Sequence, residues 1–496
     1  MILVRLSQVC RPGCRPALLF FCAAVSLCAQ PIRLHPDNPH YYLFHGQPTI
    51  LITSAEHYGG VVNGDFDYVA YFDALKAYGM NYTRIYPGFL FEPMGKFMKG
   101  NTLGAKPISL ILPWARSNKP GYPLGGNLYD LDHWNPRFFE RLRDFVAKAA
   151  ERGIVVEICF YNAQYGDTWP MSPLYYENNV QGEGRCDYED AQTLKHADLV
   201  RREDDYVRKI TQEVNAFDNV ILEICDEPYL TGTPIELAGP WIAHNVEMIK
   251  KAESNLPKKH LIAQQIEGPM GGPCDFTADP GVSVITTQYA WEGSHEQMGG
   301  LMALDYEYNK NKPIDFNETD YYPTWYQGDR IADSRVEAWE FVVGGGGSFN
   351  QLNGLFTVRD PAGKNEENAQ LLRALKSLHD FMYSFDFLKM RPDKSFVVGG
   401  VPLGTYARGM SEPGRQYAWY HHHSAFGRNT ASYKVTPGNY QESLTLKLPA
   451  GSYEADWVDA ATGAVLHSEK LTSDGGNRDI ATPVHSVDAA LRMKRR

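Results

Sequence analysis

Two glutamates in this chain stand where a strand-like run stops. The first closes Asn219-Val220-Ile221-Leu222-Glu223-Ile224-Cys225-Asp226-Glu227-Pro228, in which apolar residues give way to two carboxylates and a proline. Such a run reads as a parallel strand buried on both faces, and the proline ends it. The second closes Lys312-Pro313-Ile314-Asp315-Phe316-Asn317-Glu318, about ninety residues further on. Two carboxyls at the rims of two strands, Glu227 and Glu318, suit the cleavage of a glycosidic bond. One protonates the leaving oxygen while the other attacks the anomeric carbon or activates water. Their surroundings have to keep one protonated and the other ionised. Glu267, Glu292 and Glu223 are further acids near strand ends, with Glu292 the alternative to Glu318.

The rest of the chain supplies a scaffold for such a pair. From about residue 48, strand-like and helix-like segments alternate, as in a parallel sheet with crossover helices. Strands are expected at Thr49–Thr53, Asn81–Tyr86, Val155–Tyr161, the run from Asn219 that ends at Glu227, Leu261–Ile266, Val282–Tyr289, Pro313–Glu318 and Gly347–Gln351. Helices are expected at Phe66–Tyr78, Arg137–Arg152, Ala197–Phe217, Trp241–Ser254, Ser334–Phe341 and Asn365–Tyr383. Eight strands with eight helices over roughly 340 residues close naturally into a (β/α)8 TIM barrel. Long segments follow the second and third strands, so they gather on the face where such barrels carry their chemistry. Beyond Lys394 the pattern changes to short alternating runs separated by Pro437-Gly438, Pro449-Ala450-Gly451 and Thr462-Gly463. That spacing predicts a small antiparallel β-sandwich. The expected division is a leader over 1–29, a barrel over 30–390 and a sandwich over 391–496.

The order and spacing of these elements resemble the retaining (β/α)8 glycoside hydrolases of the cellulase-like clan A, family 5 in particular. The resemblance rests on Cys225-Asp226-Glu227-Pro228 after strand four and Phe316-Asn317-Glu318-Thr319 at strand seven. It implies that Glu227 is the acid/base and Glu318 the nucleophile. It further implies that Arg84, in Tyr82-Thr83-Arg84-Ile85-Tyr86, lies beside the nucleophile. Tyr289, in Thr287-Gln288-Tyr289-Ala290-Trp291, would hydrogen-bond that nucleophile, and Trp291 would stack on a sugar. The loop Ala55-Glu56-His57-Tyr58-Gly59-Gly60 would line the sugar site through His57 and Tyr58, with Tyr161 at the end of strand three as a further contact.

Two departures stand out. Asp226 replaces the asparagine that usually holds the sugar 2-hydroxyl, and an ionised aspartate accepts hydrogen bonds without donating them. The usual tryptophan at the end of strand eight is missing from Gly345-Gly346-Gly347-Ser348-Phe349-Asn350-Gln351, leaving Phe349 or Gln351 as its replacement. These departures support an alternative reading, a non-catalytic carbohydrate-binding protein on the same scaffold. The phrase Leu448-Pro449-Ala450-Gly451-Ser452-Tyr453-Glu454-Ala455-Asp456-Trp457-Val458-Asp459 resembles the sandwich that follows the barrel in several bacterial cellulase-like proteins. It implies a domain that braces the barrel or binds carbohydrate. His421-His422-His423 reads as a solvated strand end, because adjacent strand residues point to opposite faces. No metal or organic cofactor is required by this chemistry.

Composition narrows the partners. The chain is 43% hydrophobic and 22% charged, as expected of a folded soluble protein. Arg5, Arg11 and Arg15, with the apolar run Ala17–Cys28, read as an export signal cleaved after Ala29. The run is too short to span a membrane. Leu27 is bulky where a lipoprotein site wants a small residue, so a secreted or periplasmic protein is the expectation. Without the leader the charge of −11 falls to about −14, which disfavours nucleic acid and anionic membrane as partners. The 30 tyrosines fit a surface that stacks on sugars, or equally a tyrosine-rich core. Cys159, Cys186, Cys225 and Cys274 follow the leader; Cys186 and Cys274 lie in loops where they could pair, while the other two sit in strands.

Overall fold

The computed structural model describes residues 30–89, 105–228, 232–266, 275–288, 295, 299–319, 328–427 and 432–496. Eight parallel strands form a barrel in sequence order. Strands two to eight are Tyr82–Ile85, Val155–Asn162, Val220–Asp226, Leu261–Gln265, Val284–Gln288, Ile314–Glu318 and Ser348–Phe349. Strand one is split. Leu51–Ile52 pairs with strand eight, and Glu56–His57 pairs with strand two. Between the two halves the backbone stays satisfied. Thr53 N–H donates to the Phe349 carbonyl, Ala55 N–H donates to Asn350 Oδ1, and the Ala55 carbonyl accepts from Arg84 N–H and the Thr83 hydroxyl. The segment expected as strand one begins differently. Gln47–Thr49 belongs to an antiparallel sheet with Arg33–Leu34 and Tyr42–Phe44. That sheet covers the amino-terminal end of the barrel, where Ile32, Tyr42 and Phe44 pack on Leu51, Tyr82, Val155, Ile221 and Val284.

Seven α-helices occur among the described residues: α1 (Tyr68–Ala77), α2 (Pro136–Ala150), α3 (Ala197–Val214), α4 (Ile235–Glu253), α5 (Gly299–Glu307), α6 (Arg330–Val343) and α7 (Glu366–Tyr383). The eighth expected helix would join strands five and six, and the described part of that connection is turn. α2 starts as its sequence dictates, with Asn135 capping the Arg137 N–H and Pro136 in the first turn. α4 begins six residues earlier than its apolar pattern suggested, because Pro240 lies inside the helix and does not end it. The long segment after strand two contains an unforeseen hairpin, Trp114–Pro120 with Asn127–Trp134. Its Trp114 stacks on Tyr206 of α3. None of the helices is long and apolar enough to cross a membrane, among the described residues.

The C-terminal region folds into antiparallel sheets. One runs in the order Arg391–Pro392, Thr405–Glu412, Gln416–Gly427, Asp488–Arg495, Gly451–Val458 and Val465–Ser473, with Ser432–Val435 also paired to the third of these. The other is Val397–Gly399, Ser443–Lys447 and Asn477–Ala481. Tyr417, Trp419, Leu444, Leu446, Tyr453, Trp457, Leu491 and Met493 form the core between them. The TIM barrel followed by a β-sandwich is therefore the architecture that the sequence implied.

The two parts meet along α6, of which only Ile331 escapes burial. Trp339 stacks on Tyr420, and Arg335 pairs with Asp488 at 2.8 Å. Glu340 has no exposed surface and accepts from His295 at 2.9 Å, His422 at 3.0 Å and the Tyr433 hydroxyl. Burial would raise its pKa, but the hydrogen bonds and charges of His295 and His422 outweigh that and hold it far below the usual carboxylate range. Glu340→Gln keeps the shape and removes the charge. It is expected to cost about 1–3 kcal/mol, read as a lower urea midpoint than the parent protein.

Candidate active site

Strand four is buried along its whole length and delivers Asp226 and Glu227 to the carboxyl end of the barrel. Glu227 follows the strand with φ +49°, a left-handed conformation unusual for a residue with a side chain. Its N–H is anchored by donation to Gln265 Oε1 at 2.5 Å, from the end of strand five. That turn takes Glu227 out of the strand's alternation. Its Oε2 accepts from the Tyr165 hydroxyl at 3.1 Å. Strand seven ends at Glu318, which is 2% exposed. A register shift between strands six and seven places Gln288 opposite Glu318, and Gln288 Nε2 donates to Glu318 Oε2 at 3.2 Å.

Beneath the pair lies a polar barrel interior built around Arg84, which has no exposed surface. Its Nε and Nη2 donate to the two oxygens of Glu223 at 2.7 and 2.9 Å. Nη2 also donates to Asp226 Oδ1 at 2.7 Å, and Nη1 reaches Glu318 Oε2 at 3.4 Å. Glu157 lies 3.5 Å from Nε. One guanidinium thus faces four carboxyls, which cannot all ionise cheaply in a buried site. The outcome is graded. Arg84 overcomes the burial of Glu223 and lowers its pKa, whereas burial and the charges of Glu223 and Asp315 push Glu157 well up. Asp315 is pushed up to about 7, mainly by burial, and accepts from the Tyr82 hydroxyl at 2.9 Å.

The same physics separates the two groups at the rim. Burial, then the charges of Asp226 and Glu318, raise the carboxyl of Glu227 well above its ordinary range. The Tyr165 hydrogen bond pulls the other way. These surroundings favour the protonated form of Glu227, while Glu318 has the Arg84 guanidinium and the Gln288 amide directed at one of its oxygens. Tyr165→Phe removes the donor that stabilises ionised Glu227, so the pKa rises further. If Glu227 serves as the acid, the alkaline limb of kcat/KM is expected to move up by about one pH unit, measured from pH profiles of both proteins.

Asp226 is 1% exposed, and its oxygens are occupied by protein donors. Oδ1 accepts from Arg84 and Gln288, and Oδ2 accepts from the Tyr86 hydroxyl at 3.0 Å and Asn162 Nδ2 at 2.5 Å. An acceptor-only group suits four converging donors better than an amide, which would turn N–H toward two of them. The aspartate thus belongs to the network that surrounds it.

The structure brings Arg84, Asp226, Glu227 and Glu318 together. Tyr58 is half-buried and stacks on Tyr86 at 4.8 Å, with Arg84 over the other ring at 5.1 Å. His57 lies in the second half of strand one, paired with Ile85. Tyr289, Trp291, Glu267 and Glu292 lie outside the described residues, as does Cys274; Cys186 is a free thiol. Three expectations need correction. Tyr161 is fully buried away from the rim, its ring among Phe89, Tyr206 and Trp241, and its hydroxyl donating to the Glu203 carbonyl. Gln351 is 1% exposed and its amide is used by Ser54 and Ser334. Phe349 is core, packed against Phe316 and Phe341. Neither residue of strand eight offers a platform to a sugar.

Sequence reasoning missed Tyr165, Tyr86, Asn162, Gln265 and Gln288. Asn162, Gln265 and Gln288 do carry a signal, since each is a polar residue closing a predicted or observed barrel strand. Tyr165 lies in a loop with no periodicity to read.

The architecture has known counterparts. A solved structure described as a glycoside hydrolase superposes with a TM-score of 0.57, covering 94% of this chain and 97% of its own at 12% identity. A glycoside hydrolase family 5 structure from Bacteroides vulgatus gives 0.56, covering 94% and 93% at 13% identity. The chain shares their fold, a TIM barrel followed by a β-sandwich. No family model matches the sequence, and no curated protein matches it significantly. At such identities the likeness is one of backbone path, and the chemistry rests on the side chains at the barrel rim.

Proposed function

We propose that this protein is an exported, retaining glycoside hydrolase acting on an oligo- or polysaccharide. The observation that carries the reading is the pair Glu227 and Glu318, held at the ends of strands four and seven in opposite electrostatic settings. In the first step a Glu318 oxygen attacks the anomeric carbon, and the bond to the leaving oxygen breaks as Glu227 gives it a proton. The product is a glycosyl ester on Glu318. In the second step Glu227, now a carboxylate, takes a proton from water as its oxygen attacks the same carbon and releases Glu318. Two inversions return the original anomeric configuration. Tyr58, half-buried and backed by the stacked Tyr86, supplies aromatic surface beside the site. The basic and apolar leader supports export.

The test is sugar release by the purified mature chain from a panel of polysaccharides and aryl glycosides, with proton NMR of the first-formed anomer. Release with the substrate's own configuration supports the proposal. Release with the opposite configuration overturns the double displacement. Binding to a glycan without any release makes a carbohydrate-binding protein the better reading.

A further inference from the structure

The C-terminal sandwich holds a second cluster of chemically competent side chains. Strand alternation sends His422 toward α6, where it meets Glu340, and sends His421 and His423 to the other face. There they join Glu442 and His485, and one ligand-capable atom from each of the four lies within 4.8 Å of all the others. The site is enclosed. His421 has no exposed surface, Glu442 and His485 are 8% and 9% exposed, and the His423 side chain 12%. The histidine run is therefore not a solvated strand end, because the second sheet and its connections cover it.

Hydrogen bonds fix where two of the imidazole protons reside. His485 Nδ1 faces the Pro483 carbonyl at 3.1 Å and donates to it, which in the neutral ring leaves the lone pair on Nε2. That Nε2 is buried, without a hydrogen-bond partner, 3.5 Å from Glu442 Oε2. Two electron-rich atoms face one another with no proton assigned between them. Trp419 Nε1–H donates to His421 Nδ1 at 3.0 Å, which places the His421 proton on Nε2, an atom that is likewise buried without a hydrogen-bond partner, 3.5 Å from the same carboxylate. His423 Nε2 lies 2.9 Å from Glu442 Oε1, its ring stacked on Tyr440. Thr482 steadies the carboxylate, donating to Oε2 at 3.0 Å and accepting from the Glu442 N–H at 2.8 Å.

We propose that His423, His485 and Glu442 form a binding site for a divalent transition metal, zinc being the best match, with Thr482 holding the carboxylate from outside and His421 beside it. Two imidazoles and one carboxylate are donors suited to zinc. Ligand bonds of about 2.05 Å at tetrahedral angles put donor atoms about 3.3 Å apart; His423 Nε2 lies 2.9 Å from one Glu442 oxygen and His485 Nε2 3.5 Å from the other, with one ligand atom of each residue within 4.8 Å of the rest. The backbone carbonyl on His485 Nδ1 is the outer partner that ligating histidines usually have. Bound metal would join Gln416–Gly427 to the two connections that carry Glu442 and His485, tying one sheet to the flank of the other.

The experiment uses the full mature chain, stripped with chelator and titrated with zinc chloride by calorimetry, and with cobalt(II) by its visible absorption. One equivalent is expected to bind, with a rise in the thermal midpoint and a cobalt spectrum of nitrogen and oxygen ligation. His485→Ala and Glu442→Gln are expected to abolish both. His421→Gln, which removes an outer partner, is expected to weaken binding about 10–100-fold. If a variant fails to fold, the cobalt spectrum of the parent protein still decides. Absence of saturable binding by the parent overturns the proposal and leaves His485 as a protonated partner of Glu442. Binding that is unchanged in all the variants places the metal elsewhere and overturns it equally.

Discussion

Glu318→Ala is expected to abolish sugar release, and Glu227→Gln to lower kcat by about 10²–10⁴-fold, the usual worth of a positioned proton donor. The two losses should differ in kind. Without Glu318 no glycosyl ester forms, whatever the leaving group. A small anion such as azide, admitted to the space left by the carboxyl, would yield a glycosyl azide of inverted configuration. Without the Glu227 proton, substrates whose leaving group needs none should still pass the first step, so the ester accumulates and the kinetics show a burst. Steady-state rates, azide products and burst amplitudes on aryl glycosides of graded leaving ability check all three. Full activity in Glu318→Ala would remove that residue from the mechanism.

Arg84→Met should be the most damaging substitution away from the rim. It takes the cation from four carboxyls that lie within 3.5 Å of it in a fully buried site. Leaving one side of such a network unpaired costs about 3–5 kcal/mol. The pH dependence has a defined sign. Arg84 holds the Glu223 pKa down, so the stability it confers is present above the unfolded carboxylate pKa and is lost as pH falls through the folded one. The gap in urea stability between the parent and the variant is therefore expected to narrow toward acid. Arg84→Lys should not rescue it, since one ammonium cannot span both Glu223 oxygens and Asp226 together. A gap that stays constant with pH would mean that the defect is one of packing alone.

The barrel was legible because its strands are buried on both faces and announce themselves as β-branched runs. Val155–Asn162 and Val220–Asp226 are fully buried, and both were placed to within a residue or two. Strand one was not read correctly because Leu51–Ile52 and Glu56–His57 are too short for a pattern, and Asn350 and Thr83 complete the backbone between them. The catalytic candidates were readable for a related reason, being the carboxylates that close two largely apolar runs. The groups that tune them were not. Tyr165 reaches Glu227 across 62 positions, and Gln288 meets Glu318 through a register shift that no local sequence signal encodes. Tyr161 failed for the opposite reason. A tyrosine closing a barrel strand looks like a sugar contact until α3 and α4 are seen packed over it.

Thirteen of the fourteen residues of α6 are buried, between the barrel and the sandwich. A helix in that position has no outer surface to return to water. Cutting the chain after the last barrel helix would uncover Trp339, Arg335 and Glu340 at once, leaving an aromatic ring and two charges without Tyr420, Asp488 and His422. The barrel and its sandwich thus share one core. Recombination that trades the C-terminal half between such genes would have to carry matching changes in α6, which makes this pair of domains a poor subject for shuffling and for truncation alike.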